Sequence, residues 1–203
     1  SFNGKAVLHQ LSFEISRADK VVVWGRSGLG KSSLFSLALG FVQPDRGRVL
    51  CGGVPLDENS VWQVRRKVAF IDQDVSIGPG RVSDWVAFAA GLRANAAADF
   101  SAGRVAEWMT FFELGRDILD KEVSDLSGGE RQRMALVVAV LLGREIFFLD
   151  EVTSALDKHL KEKVADFFIT RKEWTVVVIS HDAVWLGHPA VRVFDLEAGT
   201  WKR

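Results

Sequence analysis

From residue 25 the chain reads Gly25-Arg26-Ser27-Gly28-Leu29-Gly30-Lys31-Ser32. This stretch, the phosphate loop below, has the spacing of a phosphate-binding turn: glycine, four variable residues, glycine, lysine, then serine or threonine. An apolar run at 21–24 precedes it and a helix-forming run at 31–39 follows it. Glycine at three positions lets the backbone turn tightly and approach an anion closely. The stretch therefore predicts a strand buried on both faces, a phosphate-binding turn and a helix.

The expected chemistry of the phosphate loop comes mainly from its backbone. In such a turn the N–H groups and the helix N-terminus point at phosphate oxygens. We expect Lys31 to place its charge on the β- and γ-phosphates as a catalytic residue, and the Ser32 hydroxyl to bind Mg²⁺. Residues 25–32, together with Ser33, form the predicted nucleotide-binding set. The alternative is a glycine-rich turn with an incidental Lys-Ser pair, which the flanking strand and helix disfavour.

Composition limits the class of protein. The 203 residues fit one domain with a sizeable core. Lysine plus arginine and aspartate plus glutamate each number 26, and a net charge of zero argues against a nucleic-acid partner. The single cysteine, Cys51, excludes an internal disulfide and suits a reducing compartment. The longest apolar run, 134–142, is too short to span a bilayer, so we expect a soluble cytoplasmic protein whose N-terminus has been trimmed before Ser1.

Apolar runs and helix-forming runs alternate along the chain, which predicts a parallel α/β sheet with crossover helices. The expected strands are 7–15, 21–24, 47–50, 68–71, 146–149, 176–179 and 191–196. The expected helices are 31–39, 85–98, 104–114, 130–142 and 160–170. We expect one domain, 1–203, whose core is formed by 1–75 and 130–203, with a helical subdomain inserted at about 76–129.

Two carboxylates, Asp150 and Glu151, follow the apolar run at 146–149. Because parallel sheets bind ligands at the carboxyl ends of their strands, both should lie beside the phosphate loop. We expect Asp150 to hold Mg²⁺ and Glu151 to act as the general base, a role worth about 10²–10⁴-fold in rate. The alternative is an acidic pair that caps the next helix near Thr153 or Ser154.

A histidine, His181, follows the strand expected at 176–179. There it could donate a hydrogen bond to the γ-phosphate and orient the attacking water as a catalytic residue. Most isolated histidines are structural or solvated, but this position favours the functional interpretation. His9, His159 and His188 have no such context, and we expect no metal cluster around them.

A second candidate anion site is the Ser-Gly-Gly loop, Leu126-Ser127-Gly128-Gly129-Glu130, which precedes a helix. Ser127 is a natural N-cap, and the two glycines expose N–H groups at the positive end of the helix. The helical block separates this loop from the phosphate loop in sequence. One ATP cannot readily use both loops of one chain, whereas two chains packed head to tail can supply one each. The alternative is a simple capped helix.

Six motifs occur here in the order found in the nucleotide-binding subunit of ABC transporters: residues 25–32, Gln73, 126–130, 150–151, 154–157 and 180–181. The chain resembles that family over essentially its whole length. The resemblance implies a P-loop NTPase with a RecA-like core and parallel sheet, an N-terminal antiparallel β subdomain and an inserted helical subdomain. It also implies an ATPase with ATP and Mg²⁺ as cofactors.

The resemblance also implies roles for further residues. Gln73 would reach Mg²⁺ and the attacking water, and would sense a transmembrane partner. Ser127, Gly128 and Gly129 would contact the γ-phosphate of ATP held by the opposite subunit, and Asp157 would cross the dimer interface. Phe2 falls where the family stacks an aromatic ring on adenine, or else it belongs to the core. The implied magnesium ligands are Ser32, Gln73 and Asp150.

The expected function is therefore an ATP-hydrolysing subunit that drives a membrane transporter. It would form a homodimer when ATP binds and lie on the inner face of the cell membrane through a transmembrane subunit. The alternative is a soluble ABC-type ATPase of iron–sulfur cluster assembly. Residues 80–85 resemble exporters and, more faintly, small bacterial metal-export ATPases.

Three further features are left open by the sequence. Val152 stands where the family often has proline. Apolar residues 136–140 replace the family's Ala-Arg-Ala, and this replacement changes either helix packing or a salt bridge. Trp85 and Trp108 either belong to the core or line a cleft for a coupling helix of the partner. The cargo is selected by that partner and is not encoded in this chain.

Overall fold

The structure, a computed structural model, describes residue 8 and residues 10–75 and 78–202. Its strands are β1 (Lys20–Trp24), β2 (Leu50–Cys51), β3 (Val54–Pro55), β4 (Val68–Ile71), β5 (Ile146–Asp150), β6 (Thr175–Ile179), β7 (Arg192–Asp195) and β8 (Thr200–Trp201). Its α-helices are α1 (Lys31–Ala38), α2 (Val61–Arg65), α3 (Val82–Gly91), α4 (Ala102–Phe111), α5 (Gly128–Leu141), α6 (Lys158–Thr170) and α7 (Ala183–Leu186). Short 3₁₀ turns occur at Arg93–Asn95, Arg116–Asp120 and Val123–Asp125.

The main sheet has the order β4-β5-β6-β1-β7-β8, and its first five strands are parallel. Ile179 of β6 lies opposite Val23 of β1 on one side and opposite Asp150 of β5 on the other. The carboxyl ends of these three strands are therefore level. This register brings the loops that follow them, including the phosphate loop, to one edge of the sheet.

The main core lies between the sheet and helix α5. All five apolar residues at 136–140 are buried, so the departure from Ala-Arg-Ala is one of helix packing. Val152 is fully buried as well. The expected helix at 130–142 is confirmed and begins two residues earlier, at Gly128.

Helices α3 and α4 lie in the segment between β4 and β5, which are adjacent in the sheet. The single helix expected at 85–98 ends instead at Gly91, because Leu92 has an extended backbone. The Asn95 side chain donates a hydrogen bond to the Ala89 carbonyl at 2.8 Å. An amide side chain that takes a carbonyl in the last helical turn competes with continuation of the helix.

The strand expected at 7–15 is wrong over the part that the structure describes, residue 8 and residues 10–15. Leu11, Phe13 and Ile15 alternate with exposed residues and pack on the sheet, and Phe13 stacks on Phe194 with ring centroids 4.3 Å apart. The alternation thus predicts burial correctly, but no strand pairs with this segment in the described residues. The antiparallel part of the fold is the β2–β3 hairpin and the β7–β8 edge.

None of the helices in the described ranges is long and apolar enough to cross a membrane.

Candidate nucleotide-binding site

The phosphate loop joins β1 to α1. Gly28 and Gly30 adopt left-handed backbone angles, with φ of 82° and 86°, which glycine tolerates and other residues rarely adopt. The Lys31 ammonium folds back over the loop and donates hydrogen bonds to the carbonyls of Gly25 at 2.8 Å and Arg26 at 3.0 Å. These contacts hold the lysine charge against the loop itself, where a phosphate group would be bound.

Asp150, the last residue of β5, contacts the phosphate loop directly. The Ser32 hydroxyl donates a hydrogen bond to Asp150 Oδ2 at 2.6 Å. Asp150 is only 1% exposed, and burial raises the pKa of its carboxyl, although the Ser32 hydrogen bond opposes the shift. Its other oxygen, Oδ1, is buried and has no hydrogen-bond partner in the described residues. A buried carboxylate oxygen without a partner is costly unless a ligand binds it.

Magnesium fits this donor set. Mg²⁺ prefers oxygen ligands and usually keeps several waters, with one or two protein oxygens and substrate phosphates completing its shell. Ser32 and Asp150 supply such oxygens at one point. Within the described residues no group of three or more His, Cys, Asp or Glu side chains could hold a metal by itself. Ser32 and Asp150 would hold the ion together with phosphate oxygens.

Glu151 begins the loop after β5, and its backbone turns away from the strand direction. Its φ of 49° is left-handed, unusual for a residue other than glycine. Its N–H donates to the Ile179 carbonyl at 2.9 Å, which fixes it to β6. Since His181 lies just beyond β6, its Nε2 is 3.8 Å from Glu151 Oε1. Burial raises the pKa of the Glu151 carboxyl, and the nearby His181 partly opposes this shift.

A buried hydrogen-bond network ties the loops of Glu151 and His181 together. Thr153 Oγ1 donates to Asp182 Oδ2 at 2.5 Å and accepts from Trp185 Nε1 at 3.3 Å. Lys161 Nζ donates to Asp182 Oδ1 at 2.8 Å. Thr153 and Trp185 are almost completely buried. No motif or spacing in the sequence indicates this network, because Thr153 lies 29 residues from Asp182 and 32 from Trp185.

The helix that follows Glu151 begins too far along the chain for Asp150 or Glu151 to cap it. Helix α6 starts at Lys158, and its N-cap is Asp157, whose Oδ1 accepts from the Leu160 N–H at 3.0 Å. The alternative in which Asp150 and Glu151 merely cap a helix near Thr153 or Ser154 is therefore wrong. Asp157 is exposed.

The Ser-Gly-Gly loop caps helix α5 as expected. Ser127 Oγ accepts from the Glu130 N–H at 3.2 Å, and Glu130 Oε2 accepts from the Ser127 N–H at 2.8 Å. Lys121 Nζ adds a contact of 3.1 Å to Glu130 Oε1. The Ser127 backbone hydrogen bond is the largest cause that lowers the pKa of Glu130, to about 2. This reciprocal box satisfies the Glu130 N–H, whereas the N–H groups of Gly128 and Gly129, in the first turn of α5, have no partner inside the helix.

The structure brings five of the expected site residues together at one edge of the sheet. Those five are Lys31, Ser32, Asp150, Glu151 and His181. Gln73 and the Ser-Gly-Gly loop lie outside this cluster. Gln73 is exposed in the turn after β4, and charges of that turn, on Asp72 and Asp74, contribute to the raised pKa of Asp150. The Ser-Gly-Gly loop instead packs on Ala155, since a Cβ added to Gly129 would lie 3.1 Å from the Ala155 carbonyl oxygen. Phe2 lies outside the described residues.

The match to known families agrees with this geometry. The family described as ABC transporter matches residues 8–154, which include the phosphate loop, the Ser-Gly-Gly loop and both carboxylates. The chain belongs to the ABC transporter family. Its α/β fold with a mostly parallel sheet is that of the ATP-binding cassette, the ATPase module of the family, as the sequence predicted.

Similar proteins include two curated relatives. The ATP-dependent lipid A-core flippase of Alcanivorax borkumensis is 33% identical over 183 residues, covering 86% of this chain and 31% of the flippase. The energy-coupling factor transporter ATP-binding protein EcfA1 of Bacillus licheniformis is 33% identical over 183 residues, covering 88% of this chain and 64% of that protein. The chain thus spans about a third of the flippase and less than two thirds of EcfA1.

A solved structure is similar across nearly all of the chain. It is the dimeric structure of a post-hydrolysis state of the ATP-binding cassette MJ0796 bound to ADP and Pi, with a TM-score of 0.79 and 26% identity. The match covers 97% of this chain and 89% of that one. The relatives named here give no support to the metal-export subtype or to the iron–sulfur alternative.

The buried network predicts a stability effect at Thr153. Thr153→Val keeps the shape but removes the acceptor of Trp185 Nε1 and a donor to Asp182. Leaving such groups unpaired is expected to lower the free energy of unfolding by about 1–3 kcal/mol, measured by urea denaturation. The control Thr110→Val, at an exposed helical position, should change it by less than about 0.5 kcal/mol. Equal stability of the two variants would contradict the network.

The capping box predicts a pH effect on stability. The pKa of Glu130 is lower in the folded chain than its ordinary value of 4.5. The ionised carboxylate therefore contributes fully to the free energy of unfolding above pH 4.5, and this contribution is lost as the pH falls toward about 2. We expect Glu130→Gln to lose stability relative to wild type at pH 7, and the difference to shrink between pH 4.5 and 2. Denaturant unfolding over this range measures it. An exposed-carboxyl control, Glu58→Gln, should follow wild type, and a gap for Glu130→Gln that does not change with pH would refute the assignment.

Proposed function

We propose that this chain binds ATP with Mg²⁺ and hydrolyses it to drive a membrane transporter. The observation that carries the proposal is the cluster at the sheet edge, where Ser32 bonds Asp150 and the next residue, Glu151, lies 3.8 Å from His181. The proposed metal ligand, general base and γ-phosphate contact would thus lie together beside the phosphate loop. Catalysis of phosphoryl transfer depends mainly on such positioning and on charge stabilisation.

Each residue of the cluster has a separate proposed role. The phosphate loop, Gly25 to Ser33, cradles the phosphates with its N–H groups, and Lys31 neutralises the β- and γ-phosphates. Ser32 and Asp150 hold Mg²⁺, with Gln73 as a further ligand, and the ion supplies neutralisation of phosphate charge. Glu151 takes the proton of the attacking water, and His181 donates to the γ-phosphate. The raised pKa of Glu151 makes it a stronger base than a solvated glutamate.

The active form is proposed to be a head-to-tail homodimer. The exposed N-terminus of α5 is a second anion site, formed by Ser127, Gly128 and Gly129. It would bind the γ-phosphate of ATP held by the opposite chain, and Asp157 would lie at the interface. The dimeric relative with ADP and Pi supports this arrangement. Phe2 stacking on adenine remains a prediction.

A transmembrane subunit is the proposed partner, which would hold the chain at the inner face of the membrane in the cytoplasm. The inserted helical subdomain, about 76–129, would pass the motion of the dimer to it. The zero net charge gives no reason to add a nucleic-acid partner. The transport roles of the named relatives support this proposal over cluster assembly.

An exposed aromatic pair is a candidate contact for that subunit. Phe41 and Trp62 are 59% and 63% exposed, and the Arg65 guanidinium lies 4.4 and 5.1 Å from their ring centroids. Arg65 also donates to the carbonyls of Leu39 and Gly40 at the end of α1. Rings held in this way lose little conformational freedom when a partner covers them.

Trp85 is a second candidate contact. It lines a cavity of about 260 Å³ between β4 and α5, together with Phe70 and Asp72, next to Gln73. Trp108, in contrast, belongs to an aromatic cluster in which its ring centroid lies 5.4 Å from that of Phe167. We therefore propose a partner contact for Trp85 and a core role for Trp108.

The catalytic proposal predicts the behaviour of Glu151→Gln. Removing the base should lower the hydrolysis rate by about 10²–10⁴-fold, while ATP affinity is retained because the phosphate loop is untouched. Phosphate release and ATP binding by the same preparation measure the two quantities. As a control, Glu145→Gln at the opposite end of β5 should hydrolyse ATP at the wild-type rate. Normal turnover by Glu151→Gln would exclude the proposed base.

The partner proposal predicts a separation of coupled and basal activity. In a complex with the proposed transmembrane subunit, Trp62→Ala or Trp85→Ala should weaken association by about 30-fold. Basal hydrolysis by the isolated chain should stay unchanged. The control Lys172→Ala, exposed in the turn before β6, should affect neither. Equal loss of coupled transport and basal hydrolysis would reject these two residues as partner contacts.

A further inference from the structure

Gln132 is a buried polar side chain on the second turn of α5, only 3% exposed. Its Nε2 donates to the Glu151 carbonyl at 2.9 Å and lies 3.4 Å from Ser154 Oγ. Its Oε1 accepts from the Ala155 N–H at 3.2 Å. One amide thus binds the loop after β5 at two points, on either side of its first turn.

The loop needs such support, because Glu151 holds a left-handed backbone with φ of 49°. A non-glycine residue in this region costs on the order of 1–3 kcal/mol and persists where its surroundings fix it. The Glu151 carbonyl also accepts from the Ser154 N–H at 3.1 Å. Gln132 is therefore the contact that holds this turn against helix α5.

The same helix carries the Ser-Gly-Gly loop at its N-terminus. Gly129 lies against the Ala155 carbonyl so closely that an added Cβ would stand 3.1 Å from it. Packing at Gly129 and hydrogen bonds at Gln132 thus join the helix end to the loop of Glu151. The helix end and the loop are therefore in close contact at two places.

We propose that Gln132 is a positioning residue that couples the two nucleotide sites of the dimer. This rests on the proposed function, because it requires sites shared between two chains. In such a dimer one chain gives Glu151 to its own site and Ser127–Gly129 to the opposite site. Gln132 links these two contributions inside one chain. Movement of the serine–glycine end on one nucleotide is thereby passed to the base acting on the other.

Gln132→Met removes all three hydrogen-bond contacts of the amide, to Glu151, Ser154 and Ala155, at nearly constant side-chain length. ATP affinity should remain, because the phosphate loop makes no contact with Gln132 among the hydrogen bonds described. The catalytic rate constant should fall by about 10–100-fold, since small misplacement of a catalytic group is costly. A purely structural defect would instead lower the unfolding midpoint and ATP affinity together. Gln63→Met on exposed α2 is the matched control and should leave every quantity unchanged.

Mixed dimers of two differently tagged chains test the coupling itself. The reference dimer pairs a wild-type chain with a Glu151→Gln chain, so that hydrolysis comes from the wild-type base acting with the other chain's Ser-Gly-Gly loop. Adding Gln132→Met to the Glu151→Gln chain should slow this remaining site by at least about tenfold if Gln132 acts across the dimer. An unchanged rate would overturn the proposal, because Gln132 would then act only on its own base.

Gln132→Glu is a second substitution that tests the proposal if Gln132→Met does not fold. Gln132→Glu can still accept from the Ala155 N–H but cannot donate to the Glu151 carbonyl, so the same slowing is expected in the mixed dimer. Normal turnover with Gln132→Glu would equally overturn the proposal. If wild type forms no ATP-dependent dimer or hydrolyses no ATP, the proposed function fails, and that result is distinct from a fully active Gln132 variant.

Discussion

The register of three parallel strands is the constraint on which the site depends. Ile179 faces Val23 on one side and Asp150 on the other, so the ends of β1, β5 and β6 are level. A slip of one residue in β5 would turn Asp150 to the opposite face of the sheet, away from Ser32. Most residues of these strands are apolar and buried, so the same slip would also displace packed side chains in the core. The same strand register therefore determines both the packing of the sheet and the geometry of the site.

Several features of the site lower the free energy of unfolding. Burial raises the pKa of both Asp150 and Glu151, so each carboxyl is less favourable as an anion here than in the unfolded chain. Such carboxyls reduce stability at neutral pH, where the unfolded chain would ionise them freely. The left-handed backbone of Glu151 adds a further cost. Ser32 opposes the raised pKa of Asp150 and His181 opposes that of Glu151, while the Thr153–Asp182 hydrogen bond joins the two loops.

The sequence predicts local structure correctly where the residues concerned lie close together in the chain. The phosphate loop, the N-cap Ser127 and the strand ends at Asp150 and His181 are local patterns with a direct physical meaning. It failed where the contact partner lies far along the chain, as for Gln132 with Glu151 and Thr153 with Asp182. Segment 10–15 shows the same limit, since alternation reports which side chains are buried but not whether a neighbouring strand pairs with them. Helix α3 ends early for a local reason, since the Asn95 side chain binds the Ala89 carbonyl six residues before it.

Packing as well as N–H exposure requires a small residue in the Ser-Gly-Gly loop. Gly129 also permits the helix end to approach the Ala155 carbonyl, and that closeness lets Gln132 reach the Glu151 carbonyl. A larger residue at this position would disturb the anion site and the link to the base together. An end of α5 that bound phosphate without this packing could move freely on its nucleotide, and the base would not respond. In the proposed dimer, this packing would let the helix end and the loop of Glu151 move together between two nucleotides.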